Sequence, residues 1–414
     1  MGRIISSLFF LGILIFLEFY VFYGLKTLFK NGMPRGLKWA YWIVTLFPIF
    51  WMFFYISVQG QIGNLRWFNN LVLGMSVTLL ITKAFFAIFL LAEDSYRILR
   101  FGGGQLMAMS EKGGSAVAWE SRRLFVAQLG LALASIPFMS FVYGITRGKY
   151  AYTVHKSTLT FPDLPEAFDG FRIVQISDVH AGSFDNITAV ERGTEMIQAQ
   201  KGDIILFTGD LVNNVATEIE PYIHLFKVLN APFGKFSVLG NHDYATYIRW
   251  ENEAASIENM TRLERNHNAM GFNLMKNESL LLEKNGETIR LAGVENWGRG
   301  HFPKEGDLNK TFAETPDGEF TILMSHDPSH WQEHILDFEK HIHLTLSGHT
   351  HGMQMGIEVP GIKWSPSKWI YPQWAGLYEK KGKRIYVNRG FGFLGFPGRV
   401  GILPEITVLE LKKG

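Results

Sequence analysis

Five short stretches in the second half of the chain carry side chains able to hold metal ions. They are Asp178-Val179-His180, Gly209-Asp210, Gly240-Asn241-His242-Asp243, Ser325-His326 and Gly348-His349-Thr350-His351. Carboxylate, imidazole and an asparagine carbonyl make a mixed oxygen and nitrogen donor set. Such a set suits manganese, iron, zinc or a mixed pair, and a chain without cysteine has no thiolate to offer. Two divalent ions about 3.5–4 Å apart can hold a bridging hydroxide at neutral pH and clamp an in-line displacement at phosphorus. The residues therefore point to metal-assisted hydrolysis of a phosphoester. Any one stretch alone would read as a turn or a core histidine; their recurrence in one consistent order makes a site.

Each stretch follows a hydrophobic run that reads as a buried strand, over 171–176, 204–207, 236–239, 320–324 and 342–346. In an extended segment residues two apart point the same way, so Asp178 and His180 can reach one ion, as can a residue of the His349 and His351 pair. Glycine at 209, 240 and 348 relieves crowding where the backbone turns tightly. Helix-like spacing over 187–200, 217–229 and 251–270 alternates with the strands. Asn285-Gly286, between Leu280-Leu281-Leu282 and Ile289-Arg290-Leu291, predicts a hairpin turn. This order predicts an α/β sandwich of two sheets flanked by helices.

In these phrases the chain resembles the calcineurin-like metallophosphoesterases, whose pattern is D-x-H, G-D-x-x-[DN], G-N-H-[DE], a later His and G-H-x-H. The resemblance covers about residues 150–414. Its wording is most similar to the membrane-associated bacterial branch typified by exported phosphodiesterases; some relatives in that wider branch hydrolyse UDP-diacylglucosamine. The resemblance implies a four-layer α/β sandwich and two divalent metal ions, manganese, iron or zinc. It implies that Asp178, His180, Asp210 and His351 surround one ion, with Asp210 bridging to a second that Asn241, His326 and His349 complete. His242 would then contact a phosphate oxygen and protonate the departing alkoxide, a role suited to an imidazole. Two positions depart from the pattern: Asn213 stands where many relatives have Asp, and Met353 where Gly is common. Neither removes a ligand, so both bear on hydrogen bonding behind the ligands and on pocket shape.

The first third differs in kind. Residues 4–29, 37–58, 67–92 and 124–145 are each long and apolar enough to cross a hydrocarbon core about 30 Å thick. They predict a four-helix transmembrane region over 1–145, followed by a linker and strand lead-in over 146–170 and the catalytic domain over 171–414. Lys26, Lys30, Arg35 and Lys38 in the first loop, and Arg97, Arg100, Lys112, Arg122 and Arg123 in the third, assign those loops to the cytoplasm. The catalytic domain then lies on the extracytoplasmic side of a bacterial inner or cell membrane, although Arg147, Lys149 and Lys156 weigh against that side. Ser121-Arg122-Arg123-Leu124-Phe125-Val126 looks like a twin-arginine export signal and agrees with the assignment. Glu18 and Lys83 sit inside spans, where charge is expensive; mutual pairing is favoured over a proton or ligand pathway. Gly102-Gly103-Gly104 and Gly113-Gly114 predict a flexible cytoplasmic loop.

Substrate identity is less legible. Residues 353–378 interleave Trp364, Trp369, Tyr371, Trp374 and Tyr378 with Lys363 and Lys368. These rings could line a lipid-phosphate pocket, rest at the headgroup layer or pack on the domain. Base stacking is disfavoured by a net charge of only +2, and no nucleic-acid partner is expected. Arg389 and Arg399 could bind a substrate phosphate bidentately. The expected function is a membrane-anchored dimetal phosphoesterase acting through a bridging hydroxide on a phosphodiester or pyrophosphate of lipid or envelope origin. Its expected partners are that phosphorylated substrate and membrane lipids. The alternative, a non-hydrolytic receptor or scaffold for a phosphorylated ligand, is disfavoured because no ligand residue is missing.

Overall fold

The computed structural model describes residues 2–57, 66–107 and 116–414, which form two compact units, Met1–Ile145 and Thr146–Gly414. The first unit contains helices α1 (Gly2–Lys26), α2 (Arg35–Ser57), α3 (Arg66–Met107) and α4 (Ala116–Thr146). Among the described residues, Arg35–Tyr55, Arg66–Leu99 and Arg122–Thr146 are long and apolar enough to cross a membrane. Val21, Phe86, Leu90, Ala127 and Ala134 pack inside the unit, while Trp39, Ile43, Phe50, Phe53 and Ile136 face outward. An apolar exterior of this kind matches a lipid solvent rather than water.

The charges inside and at the end of the helical bundle include several pairs. Lys83 Nζ meets Glu18 Oε2 at 2.7 Å and Thr45 Oγ1 at 2.8 Å, and the Tyr41 hydroxyl donates to Glu18 at 2.8 Å. Arg122 lies 2.7 Å from Glu93, and Arg123 lies 3.2 Å from Asp94. These pairs tie α4 to the polar continuation of α3 beyond Ala92. Helix α3 runs on to Met107, so Gly102-Gly103-Gly104 are helical rather than part of the expected loop. Gly113-Gly114, Lys112 and residues 58–65, which include most of the loop expected between the second and third spans, lie outside the described residues.

The second unit is built on two six-stranded sheets. In the first, β1 (Thr153–Phe161), β14 (Glu405–Lys413), β2 (Arg172–Ile176), β3 (Ile204–Phe207), β4 (Lys235–Ser237) and β5 (Asn273–Leu274) lie side by side in that order. The second runs β12 (Gly376–Lys380), β13 (Lys383–Val387), β9 (Leu344–Ser347), β8 (Thr321–Met324), β7 (Glu287–Gly293) and β6 (Glu278–Lys284). A small hairpin, β10 (Ile357–Val359) with β11 (Ile362–Trp364), stands apart from both.

Side-chain alternation along the strands divides the core. Ile173, Leu206, Leu291, Ile322, Leu344 and Leu409 meet between the sheets. Their neighbours Val174, Ile176 and Phe207 turn the other way, onto α5 (Ile187–Gln198), α6 (Ile223–Lys227) and α7 (Glu253–Ala269). On the far side Ala292, Leu323 and Val387 pack under α8 (Leu308–Thr311) and α9 (Pro328–Glu333), with Trp331 fully buried. The result is the expected four layers, helix, sheet, sheet, helix.

Among the strands and helices of the second unit, two segments differ from the expectation. Within 146–170, read as linker and strand lead-in, residues 153–161 form β1, paired in parallel with β14 from Thr153↔Glu405 to Phe161↔Lys413. Alternating exposure along Thr153–Phe161 suits a half-covered edge position. The helix expected over 217–229 is broken into two 3₁₀ turns and the short α6, because Pro221 supplies no N–H for a continuous ladder. At the hairpin between β6 and β7, Asn285 and Gly286 both adopt positive φ, 50° and 83°, which a two-residue turn of right-handed twist requires.

Candidate metal centre

Strands β2, β3 and β4 run parallel, as do β7, β8 and β9, so their C-terminal ends open on a common edge of each sheet. The loops leaving β2, β3, β4, β8 and β9 carry every proposed ligand. Their backbone is not extended. Asp178, His180, Asp210, His349 and His351 adopt left-handed φ of 52°, 47°, 60°, 71° and 49°. The expectation that an extended Asp178-Val179-His180 aligns two side chains is therefore replaced by a tight turn in which both residues are individually strained. Backbone strain of this kind costs about 1–3 kcal/mol per residue and persists where the surroundings over-determine it. Gly240 and Gly348 permit the close approach. A Cβ at Gly240 would collide with Asp210 Oδ1, and one at Gly348 with the Ser177 hydroxyl and Asp178 Oδ2.

The side chains converge as two groups of ligand atoms, Asp178 with His180 and His351, and Asp210 with His326 and His349. His351 Nε2 lies 3.2 Å from Asp178 Oδ1. Asp210 Oδ2 sits between the groups, 3.5 Å from His180 Nε2 and 3.2 Å from His326 Nε2. Asn241 joins the second group through its Oδ1, 2.8 Å from His349 Nδ1. All seven residues that the resemblance implied as ligands thus meet at one locus.

The donors fit divalent cations. His326 Nδ1–H donates to the Thr208 carbonyl at 2.7 Å, which turns the lone pair of Nε2 inward. Buried Nε2 atoms of His180, His326 and His351 have no hydrogen-bond partner. Burial pushes the Asp178 and Asp210 carboxyls up, but the imidazoles of His351 and His326 pull them below the ordinary carboxylate range. Burial alone would depress His326, yet Asp210 and then Asp178 lift it to about 10, whereas burial wins at His180 and takes it down to about 3. The carboxylates demand positive charge at this spot, and one or two divalent ions on the unpartnered nitrogens would answer that demand.

His242 stands beside the ligands rather than among them. Its Nδ1–H donates to the Asn213 carbonyl at 2.7 Å and its backbone N–H to Asp210 Oδ1 at 2.8 Å. That leaves Nε2 as the free ring atom on a half-buried imidazole packed against Tyr247. Because the contact uses the backbone of residue 213, its Asn side chain is free to reach Ser183 Oγ at 2.9 Å.

A family model, "Calcineurin-like phosphoesterase", matches residues 171–353, and another, "Probable Calcineurin-like phosphoesterase, transmembrane domain", matches residues 2–149. The metallophosphoesterase YkuE of Bacillus subtilis is 34% identical over 253 residues, spanning 60% of this chain and 82% of its own. The chain belongs to the calcineurin-like metallophosphoesterases. A Danio rerio transmembrane protein with metallophosphoesterase domain is 27% identical over 322 residues, 75% of this chain and 68% of its own. UDP-2,3-diacylglucosamine pyrophosphatase LpxG of Chlamydia trachomatis is 28% identical over 277 residues, 56% of this chain and 81% of its own. This protein is accordingly a membrane protein and a metal-dependent phosphoester hydrolase.

In this phosphoesterase the two arginines expected to clamp a phosphate are committed elsewhere. Arg389 is buried and splits its guanidinium between Glu358, at 2.5 and 2.9 Å, and Glu405, at 2.5 Å. Arg399 is fully buried, donates to the Gly390 and Gly392 carbonyls and lies 3.1 Å from His351 Nδ1. The first braces the hairpin onto the sheet, and the second packs behind the His351 imidazole.

Three further residues shape the centre. The Asp243 carboxylate accepts the backbone N–H groups of Gly240, Asp210, Leu211 and Val212 at 2.8–3.3 Å, fixing the loops after β3 and β4 to one another. Burial and the Asp210 charge push Asp243 up to about 7, against those donors. The Tyr371 hydroxyl lies 2.7 Å from His349 Nε2, and Asp327 Oδ2 lies 3.5 Å from the same atom. Asp243 and Asp327 directly follow recognised motif histidines, a signal that was available in the sequence. Tyr371 comes from a loop, and only the fold brings it to the metal centre.

Proposed function

We propose that this phosphoesterase hydrolyses a phosphodiester or pyrophosphate of lipid or envelope origin, with its catalytic unit on the extracytoplasmic side of the membrane. The observation that carries the catalytic reading is Asp210 Oδ2, placed between ring nitrogens of two separate ligand groups, at 3.5 and 3.2 Å. Asp178, His180 and His351 would hold one ion and Asn241, His326 and His349 another, with Asp210 shared. Two divalent ions there would supply an activated water nucleophile and neutralise charge on the phosphoryl oxygens. His242, with Nδ1–H engaged by the Asn213 carbonyl, presents Nε2 to the substrate and delivers a proton to the leaving oxygen. Asp243 and the Arg399–His351 contact keep the ligand loops in place during turnover.

The lipid-derived class is supported by membrane helices in the same chain and by likeness to an enzyme named for a diacylated sugar nucleotide. The outward orientation rests on the basic loops and on Ser121-Arg122-Arg123 as an export signal; in the folded unit both arginines of that motif are paired to α3.

The test is manganese-dependent hydrolysis of a chromogenic phosphodiester, a monoester and a lipid pyrophosphate by the full-length protein beside Asp210→Ala. Preferred turnover of the diester or the lipid pyrophosphate, falling at least about 1000-fold in the variant, is the expected result. Exclusive turnover of the small monoester would overturn the substrate class, and equal activity of the variant would overturn the site.

A further inference from the structure

The hairpin β10–β11 is amphipathic in the wrong sense for water. Its register pairs Ile357 with Trp364, Glu358 with Lys363 and Val359 with Ile362. Facing residues of an antiparallel pair share a face, so Ile357, Trp364, Val359 and Ile362 lie on one side and Glu358 and Lys363 on the other. The charged side chains are the ones that hydrogen-bond back to the protein, Lys363 through its ammonium end while its stem stays exposed. Glu358 holds Arg389, and Lys363 Nζ donates to the Ala375 carbonyl at 2.5 Å. The apolar side is left open, with Ile357, Val359 and Ile362 51%, 53% and 56% exposed. The following turn extends the patch with Trp369, 72% exposed, and Ile370, beside the exposed Lys368.

The same segment reaches the metal centre and the N-terminal edge of the catalytic unit. Tyr371 follows Ile370 directly and hydrogen-bonds the ligand His349. At the root of the hairpin, Gln354 binds the Leu394 N–H and the Phe396 and Gly398 carbonyls, at 2.6, 2.7 and 3.1 Å. The neighbouring Phe393 ring packs on Tyr150 and lies 5.2 Å from Lys149 Nζ. Gly148, Lys149 and Tyr150 are the first buried residues after helix α4, which ends at Thr146. Only Arg147, Gly148 and Lys149 lie between Thr146 and Tyr150, so that stretch spans at most about 14 Å.

We infer that the apolar face of Ile357–Trp364, with Trp369 and Ile370, docks into the headgroup layer of the lipid bilayer and brings the metal centre to phosphoesters held in that layer. The occupant is lipid because three facts coincide. The patch inverts the polarity expected of a water-facing hairpin. It carries the tryptophans and a lysine suited to the interface of an anionic membrane. It is also joined through Gln354 and Phe393 to the point where the chain arrives from a membrane-crossing helix. The docking itself stands on the geometry of the patch; the identification of the substrate as a bilayer-resident amphiphile rests on the function proposed above.

The chain has no cysteine, so single cysteines report without background. Full-length Ile362→Cys and Trp369→Cys, labelled with an environment-sensitive fluorophore, are reconstituted into phosphatidylethanolamine and phosphatidylglycerol nanodiscs containing lipid spin-labelled near the headgroup. Asn309→Cys, in the short helix α8 on the outside of the second sheet, serves as control. Quenching at 362 and 369, at least about twice that at 309, is the expected result. Equal quenching would overturn the proposal, and so would a fluorophore shielded from water but not quenched by lipid, which would assign the patch to a second copy or another protein.

An activity arm uses Ile362→Asp with Trp369→Asp. Turnover of a soluble chromogenic diester stays unchanged, while KM for a phosphoester embedded in the nanodisc rises about tenfold with kcat retained. An unchanged KM would overturn the presentation role. If no lipid phosphoester is turned over by the parent protein, the substrate class falls, and the quenching result still decides docking.

Discussion

Two buried polar clusters in this protein follow opposite rules. In the membrane unit, both Glu18 carboxylate oxygens and the Lys83 ammonium have partners, supplied by each other, Tyr41 and Thr45. In the catalytic unit, the Nε2 atoms of His180, His326 and His351 lie near carboxylates but make no hydrogen bond, and five residues of the cluster are held in left-handed backbone conformations. A buried polar group without a partner costs about 1–3 kcal/mol, so such a collection persists only where something else completes it. The first cluster joins helices. The second is a candidate cation site, and its incompleteness distinguishes it from a brace.

The contrast has measurable consequences. The largest concerns His242. His242→Ala should lower kcat on an alkyl diester about 10²–10⁴-fold, because the alkoxide needs its proton. The loss on a nitrophenyl ester, whose leaving group departs without one, should be far smaller; equal losses in stopped assays of the two substrates would remove the acid role.

In the membrane unit, Lys83→Met should destabilise the protein by about 3–5 kcal/mol, by leaving Glu18 without compensation. Adding Glu18→Leu should recover most of that loss, and turnover of a soluble diester by the folded variants should match the parent. Denaturation in detergent reads the difference, and a single variant as stable as the parent would show the pair to be idle.

A third prediction concerns acid stability. Burial takes His267 and His330 down to about 3, so both stay neutral in the fold. The unfolded chain protonates them below about 6.5 and therefore binds more protons. Stability is fully present above that pH and falls as pH drops toward 3, by about 1.4 kcal/mol per unit for each histidine. His267→Asn should flatten the fall in melting temperature between pH 6.5 and pH 4.5 relative to the parent at equal metal concentration. Parallel curves would mean that His267 is protonated in the fold.

The smallest effect is expected at Asn213→Asp. His242 leans on the backbone carbonyl of that residue, so kcat/KM should change by no more than about threefold, against the 10–100-fold typical when a side chain orients a ligand. A larger change would mean that the residue 213 side chain joins the site.

Much of this architecture was legible in the residues. The parallel core strands announce themselves as short apolar runs because both of their faces are buried, and Asn285-Gly286 marks its hairpin because few other pairs tolerate two positive φ angles. The edge strand Thr153–Phe161 was hidden, since half-covered alternation beside Pro162 and Pro165 reads as linker. Arg389 and Arg399 looked like phosphate clamps because a guanidinium's chemistry does not reveal which carboxylates or carbonyls will claim it; Glu405 and Glu358 lie 16 and 31 residues away in sequence.

Candidate ligand types, the core strands and the apolar helices are local properties, carried by residue type and short-range spacing. They are therefore written in the chain in advance of folding. Left-handed turns at the ligands, the Asp210 position between two histidines, the Tyr371 contact and the outward apolar face of the hairpin are different. Each arises where segments far apart in sequence are forced against one another, and packing, not propensity, sets the outcome.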